Sequence, residues 1–467
     1  MPRKIPFHPG GPPNEDIPAR LITSIRVDGL FGLYTYSLPA VGEFSNAAIL
    51  YGDNGLGKST LLRLLFHLLS PGDKRGHRTA LYETDFKYLE VALSSGIRLT
   101  ARVVEQEPSK LLALEVLAGQ KRLAIWNFRP RHSETEAAIP GFDAAGRPIR
   151  RRRLSPPRRD SEQAYLEALK THAPTMFILN ADRRLDSDSV ADPSDEVELR
   201  RVMHYGEPTR INELVVRSRE IALSQALGAA ARWISQKAVL GTNQGSMNVH
   251  SAYGDVLNRL LSPTTENDEI RGSGAVADLQ QRLALIDDKS AEHARYELAT
   301  HLPTDNFRKA LGRGQRTKKN ELAADLLEPY VKSVEGRLAA VEPIYQLIDR
   351  FVKIVNDLLR DKSVTFKLSQ GFSIHNRLGV LLHPAQLSSG EQQLLLLFCY
   401  VLTARDAPTT FMIDEPELSL NIKWQRQLIQ SLLQITEGAS IQFILASHSM
   451  ELLAQHRDRV VKLVSKP

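Results

Sequence analysis

The chain has 467 residues, 42% of them hydrophobic and 24% charged, with a formal net charge of +6. That is enough apolar material for two or three domains, and the mild excess of basic residues is as compatible with an ordinary protein as with one that meets nucleic acid. The single cysteine, Cys399, excludes an intrachain disulfide framework and sits in the apolar run LLLLFCY, where a buried structural thiol is expected. No run of about 18 uncharged apolar residues occurs, so no membrane span is expected.

The first 18 residues, rich in Pro and Gly and without an apolar core, read as a flexible tail rather than a signal peptide. RLITSIRVDGLFGLYTYSL alternates apolar and polar positions and is broken by Gly29 and Gly32, which predicts a pair of strands. AAILYG is a compact apolar run, the pattern of a buried parallel strand. STLLRLLFHLLS then has helical spacing and stops at Pro71-Gly72. FKYLEVALSSGIRLTARVVEQ and LLALEVLAGQKRLAIWNF predict further strands joined by turns.

Between about 128 and 160 the composition becomes rich in Pro and Arg, which predicts an exposed loop. Six arginines lie between Arg150 and Arg159. They suit a phosphate backbone, an acidic partner protein, or solvent alone. APTMFILNADRR restores a strand. From about 195 to 360 the pattern is helical almost throughout. Its last part carries a heptad-like seam at Val331, Val334, Leu338, Val341, Tyr345, Ile348, Val352, Val355 and Leu359, with Pro343 expected to kink it. The seam suits either an amphipathic helix pair packed on a domain or a projecting arm. VTFKLS, FSIHN and VLLH predict strands, and the final hundred residues alternate strand and helix.

Four separated motifs carry chemistry. GDNGLGKST, Gly52 to Thr60, follows a buried strand and opens a helix, and Gly52, Gly57, Lys58 and Ser59 fit the phosphate-loop pattern G-x-x-x-x-G-K-[ST]. Glycines let backbone N–H groups turn around phosphate oxygens, and the helix N-terminus adds its positive end. The expected nucleotide contacts are Asp53, Asn54, Gly55, Gly57, Lys58, Ser59 and Thr60, with Ser59 also a Mg²⁺ ligand. Leu56 is bulkier than the small residue often found there. TTFMIDEPELSLN ends an apolar run in Asp414, suited to the Mg²⁺ shell, and Glu415, suited to polarising a water. LSSGEQQLLLL has the composition of a capped helix start. SIQFILASHS is a strand that ends at His448.

In this order the motifs resemble those of ABC-type ATPases, in the branch that contains the SMC, Rad50, RecF and OLD-like proteins. The matching positions are the Walker A loop Gly52 to Ser59, a signature at Leu387 to Gln392, the Walker B pair Asp414-Glu415, a D-loop-like Leu418-Ser419-Leu420, and a switch histidine, His448. The resemblance implies an α/β fold: a split P-loop ATPase head, a mixed sheet with flanking helices, interrupted by a large helical insertion able to form a coiled coil. Its parts would be the tail 1–18, an N-terminal lobe 19–190, the insertion 191–362, and a C-terminal lobe 363–467. It implies ATP and Mg²⁺, with Glu415 and His448 catalytic. It implies a homo-oligomer in which Ser388, Ser389, Gly390, Glu391 and Gln392 of one copy cap ATP held by another. A Q-loop residue should lie near the insertion, with Gln163 and the stretch Asn180 to Arg184 as candidates.

After His448 only a short helix and a strand remain, so effector chemistry is expected in another protein. The VDGLFGLYTYSL start and the overall length most resemble the ATPase subunit of PARIS-type anti-phage systems, with the Septu and retron-associated ATPases close behind. That implies a cytoplasmic ATPase that holds a separate Toprim-type nuclease and answers a phage trigger protein. A RecF- or Rad50-like ATPase that clamps DNA is the alternative from another functional class.

Overall fold

The computed structural model describes residues 21–73, 75–105, 110–130, 160–180, 185–187, 220–243, 272–312 and 318–465. The expected tail, almost all of the arginine-rich loop, and residues 181–184 lie outside them. The chain divides into two compact units, 1–205 with 404–467, and 206–403.

The first unit holds two six-stranded sheets. One is antiparallel, in the order β2 (Tyr34–Leu38), β1 (Ile22–Leu30), β4 (Tyr88–Leu93), β5 (Ile97–Val104), β6 (Leu111–Ala118), β7 (Lys121–Phe128). Its strands read as the sequence predicts: in β4 every second residue, Leu89, Val91 and Leu93, is buried. The other sheet runs β15 (Val460–Lys462), β3 (Ala47–Tyr51), β14 (Ile441–Ala446), β13 (Thr409–Asp414), β8 (Thr175–Leu179), β9 (Leu185–Ser187). Its strands are parallel except for β9. β13 and β14 are buried at every position, which is why they appear as unbroken apolar runs rather than alternating ones.

Helix α1 (Lys58–Leu69) shares one core with both sheets. Its Leu61, Leu62, Leu65, Leu68 and Leu69 join Leu89, Leu99 and Leu114 of the antiparallel sheet and Met176, Ile178, Met412 and Ile444 of the parallel one. Each such leucine contributes about 2 kcal/mol of burial. Tyr165 and Leu169 of α3 (Asp160–His172) complete this core, and α2 (His77–Glu83) follows α1 closely in the chain. A buried glutamine also ties the sheets. Gln442 of β14 accepts from Ile22 N (2.9 Å) and donates to Ile22 O (2.8 Å) and Ser45 O (3.2 Å).

The second unit is helical over 220–243 (α4) and in α5 (Gly272–Ala294), α6 (Asp305–Gly312) and α7 (Lys318–Leu358). Leu279, Leu283 and Ile286 of α5 pack on Val331, Val334 and Leu338 of α7, so this half of the heptad-like seam is the buried side of an amphipathic helix pair. Val352 alone of the seam's Val residues is half-buried. Pro343, like Pro329, lies inside α7 without ending it. Arg282 of α5 donates to both Glu328 and Glu335 of α7 at 2.7–2.9 Å. A three-stranded antiparallel sheet follows, β10 (Lys362–Lys367), β11 (Gly371–Asn376), β12 (Leu381–Leu382), and then α8 (Ser389–Thr403). Cys399 is fully buried in α8, and burial pushes its thiol up to about 12, as an inert packing residue requires.

Candidate functional site

The parallel register puts the site residues at one edge. Asp414 pairs with Ala446, Ala446 pairs with Leu50, and Leu179 pairs with Ile413. The carboxyl ends of β3, β13, β14 and β8 therefore lie level, where open parallel sheets bind ligands. Gly52, Asp414, Ser447 and Asn180 are the residues that close or follow these strands.

The loop after β3 is built by its glycines. Gly57 has φ 82° and caps α1, and a Cβ there would stand 2.8 Å from Leu30 Cδ2. Asp53, Asn54 and Gly55 are exposed, and Thr60 is half-buried in the first turn of α1. Among the described residues no side chain caps α1 and no acid lies in its first turn. Its leading N–H groups thus suit an anion. Lys58 is 7% exposed and folds over its own loop, donating from Nζ to Gly52 O (2.7 Å) and Asp53 O (3.1 Å). Leu56 packs against the core, and its carbonyl accepts from Tyr36 Oη at 2.9 Å. The bulky residue is accommodated because its side chain leaves the phosphate side of the loop for the core.

Ser59 Oγ donates to Asp414 Oδ1 at 2.9 Å, across 355 residues of sequence. Asp414 is 4% exposed. Burial raises its pKa, the Ser59 hydroxyl partly opposes this, and the neighbouring Glu415 raises it further, for a net upward shift. Glu415 follows with φ 48°, a conformation that a non-glycine residue adopts at a cost, and its N–H donates to Ala446 O at 2.8 Å. That bond extends the β13–β14 ladder one residue past Asp414. His448 Nδ1 lies 3.6 Å from Glu415 Oε1 and 3.9 Å from Glu417 Oε1, with its side chain 42% exposed. The structure thus brings Lys58 and its loop, Ser59 with Asp414, and Glu415 with His448 to one strand edge.

Sequence reasoning passed over Glu417. Its Oε1 accepts from Ser447 Oγ (2.8 Å), His448 N (3.0 Å) and Ser449 N (3.2 Å). The available signal was the third acid of Asp-Glu-Pro-Glu, too short a pattern to interpret alone. Leu418, in the D-loop-like stretch, is 54% exposed, and Leu420 is buried. Gln163 is exposed on α3 and donates to Glu167 of its own helix (3.3 Å), whereas Asn180 follows β8 level with Asp414.

In the second unit the signature-like residues begin α8. Ser388 and Glu391 form a reciprocal cap: Ser388 N donates to Glu391 Oε2 (2.7 Å) and Glu391 N donates to Ser388 Oγ (3.4 Å). Glu391 also accepts from Lys362 Nζ (2.7 Å). Burial would raise its pKa, but the Lys362 and Ser388 hydrogen bonds outweigh this and hold it below the usual carboxylate range. Gln392 donates to Pro384 O and Leu387 O. Ser388 and Ser389 are exposed, while Gly390, Glu391 and Gln392 are buried. The side chains of Glu391 and Gln392 are thus already engaged within their own unit.

Among the described residues no group of three or more His, Cys, Asp or Glu side chains is placed to hold a metal ion. Ser59 and Asp414 supply two oxygens, the kind of set Mg²⁺ uses when phosphates and waters complete its shell. Among the same residues no helix is long and apolar enough to cross a membrane.

The family described as AAA domain, putative AbiEii toxin, Type IV TA system, matches residues 250–454. Over 80 residues the chain is 38% identical to the lipoprotein-releasing system ATP-binding protein LolD of Ruegeria pomeroyi, a stretch of 17% of this chain and 33% of that protein. Over 80 residues it is 35% identical to the molybdenum import ATP-binding protein ModC of Escherichia coli, 17% of this chain and 22% of the relative. The chain thus spans about a third or less of the curated relatives it matches. Among solved structures, the Smc head domain with an extended coiled coil bound to the C-terminal domain of ScpA, from Pyrococcus furiosus, aligns over 96% of both chains with 15% identity and TM-score 0.34. The SmcHead bound to the C-winged helix domain of ScpA aligns over 96% of this chain and 97% of that one, with 13% identity and TM-score 0.33. The family model describes an AAA domain, and both of these curated relatives are named as ATP-binding proteins.

Proposed function

We propose that the protein binds and hydrolyses ATP at the strand edge formed by β3, β13 and β14. The observation that carries this is the Ser59–Asp414 hydrogen bond, which joins the phosphate-loop motif to the acidic strand end across 355 residues. The loop glycines, the uncapped start of α1 and Lys58 suit the phosphates. Ser59 and Asp414 would hold Mg²⁺, which when bound neutralises charge on the β- and γ-phosphate oxygens. Lys58 would exchange its two carbonyl partners for phosphate oxygens. Glu415 would orient and polarise the attacking water, and the adjacent His448 would contact the γ-phosphate.

The test is a pair of variants. Lys58→Ala loses ATP binding or turnover. Glu415→Gln binds ATP as tightly as the unaltered protein and slows turnover about 100-fold or more. Equal turnover in Glu415→Gln and the unaltered protein would remove the assignment of Glu415.

The finer reading is a regulatory ATPase subunit of an anti-phage system, of the PARIS type, that oligomerises through ATP-sandwiched heads and controls a separate Toprim-type nuclease. Its support is the order of motifs and the toxin named in the matching family's description. Recovery of a nuclease subunit on co-expression of the neighbouring genes supports it; DNA clamping by the protein alone supports a RecF- or Rad50-like role instead.

A further inference from the structure

The turn that carries His448 is held by one carboxylate from outside its own strand. Glu417 lies two residues past the Walker B pair, and its side chain is 9% exposed. A single oxygen, Oε1, accepts from the hydroxyl of Ser447 and from the N–H groups of His448 and Ser449. Ser447 itself is fully buried. Three donors on one carboxylate oxygen are charge-assisted bonds, each stronger than a neutral one. They also fix three consecutive residues at once, so the backbone on both sides of His448 is tied to the segment that follows Glu415.

The same segment is bonded a second time. Ser449 Oγ donates to Gln425 Oε1 (2.8 Å), and Gln425 Nε2 donates to Leu420 O (2.9 Å) and Glu417 O (3.3 Å). The Glu415 end is fixed by its own N–H to Ala446. The two catalytic candidates therefore stand on backbone segments clamped to each other, and the His448 ring sits within 4 Å of both carboxylates, Glu415 at 3.6 Å and Glu417 at 3.9 Å. Glu417 Oε2, by contrast, is buried and has no hydrogen-bond partner among the described residues. A buried acceptor left open is costly. Every hydrogen bond that the Glu417 carboxylate accepts from the turn goes to Oε1.

We propose that Glu417 is a positioning residue for ATP hydrolysis: through Oε1 it holds the Ser447–His448–Ser449 turn and so sets the His448 ring against Glu415. This rests on the ATPase reading of the site. Glu417 makes no contact with the phosphate loop among the hydrogen bonds of the described residues, so its loss should act on the chemical step and leave nucleotide binding alone.

The experiment is steady-state ATP hydrolysis and nucleotide binding for Glu417→Ala, Glu417→Gln, His448→Ala and the double variant Glu417→Ala/His448→Ala. Glu417→Ala is expected to lower kcat about 10- to 100-fold with KM and ATP affinity within about threefold. Glu417→Gln keeps an oxygen acceptor in place and is expected to recover kcat to within about fivefold. The double variant is expected to be no slower than His448→Ala, because both remove one device. The proposal is overturned if Glu417→Ala keeps its kcat, if its loss multiplies with that of His448→Ala, or if Glu417→Gln is as slow as Glu417→Ala, which would assign Glu417 a charge-dependent role of its own. If Glu417→Ala does not fold, the Glu417→Gln variant decides: kcat within about fivefold sustains positioning, and a loss near that of His448→Ala overturns it. Failure of the ATPase reading looks different, since the unaltered protein and Lys58→Ala would then hydrolyse ATP equally.

Discussion

Asp414 is the residue at which the fold and the proposed chemistry conflict. It is almost fully buried, faces the charge of Glu415, and has the Ser59 hydroxyl as its hydrogen-bond donor. Its pKa is raised, first by burial, so the folded protein resists its ionisation more than the unfolded chain does. A carboxyl shifted upward adds stability below its unfolded pKa and loses it as pH rises through the folded value. Asp414 therefore stabilises the nucleotide-free protein less at neutral pH than in acid. Asp414→Asn keeps an oxygen for Ser59 and removes the charge. It should raise the thermal midpoint without nucleotide by about 2–4 °C at pH 7 and flatten its fall between acid and neutral pH, while abolishing the added stability given by Mg²⁺ with ATP. A lower midpoint at pH 7 would contradict this. Asp414, Glu415, Lys58 and Ser59 are all legible in the sequence, because motif spacing and a strand context name them. Glu417, Tyr36 and Gln442 are not, because each acts through a partner that only folding supplies: the turn at His448, the carbonyl of Leu56, and the backbone of Ile22. A polar residue inside the apolar run SIQFILA was the trace Gln442 left.

Elements were more legible than residues, since their signals are local. The alternation of β4, the unbroken apolar runs of β3, β13 and β14, and the Pro71-Gly72 stop after α1 each follow from one physical cause within a few residues. The start of α8 is where composition and geometry meet most closely. Ser-Ser-Gly-Glu reads as a capped helix start, and Ser388 with Glu391 forms that cap. Composition gave no sign of Lys362, 29 residues earlier, whose ammonium lies 2.7 Å from the same carboxylate. Glu391 thus serves a cap and a partly buried ion pair together. Glu391→Ala leaves Lys362 and the Ser388 N–H without that acceptor and should cost about 1–3 kcal/mol in denaturant unfolding at pH 7. The depressed pKa of Glu391 sets the pH dependence. Its contribution is present above the unfolded carboxylate pKa and fades as pH falls through the lower folded value, so the difference between Glu391→Ala and the unaltered protein should shrink in acid. A constant difference across that range would separate the destabilisation from the charge.

At the scale of the molecule, the parallel sheet is assembled from both ends of the sequence. β3 and β8 precede the helical unit, and β13, β14 and β15 follow it, so β14 lies between strands that are nearly 400 residues apart in one case and adjacent in the other. Motif order in the sequence exposed this split, because a phosphate loop near residue 52 needs an acidic strand end, and the apolar run TTFMI ends in Asp414-Glu415. The signature-like residues lie in the other compact unit, 206–403, where Ser388 and Ser389 are exposed and Glu391 and Gln392 are engaged internally. The expectation of contact with a second copy's nucleotide therefore narrows to Ser388, Ser389 and the backbone of Gly390. An arginine at Ser389 would put a long cation at an exposed helix start while leaving the cap at Ser388 intact. In a Glu415→Gln background, expected to bind ATP and turn it over slowly, light scattering after size exclusion should show a mass increase on adding ATP with Mg²⁺. Glu415→Gln/Ser389→Arg should bind ATP within about threefold of Glu415→Gln yet keep the mass of a single chain, since the Walker A loop is untouched and only the trans contact is blocked. A mass increase that survives Ser389→Arg would show that any ATP-dependent assembly uses a surface other than the start of α8.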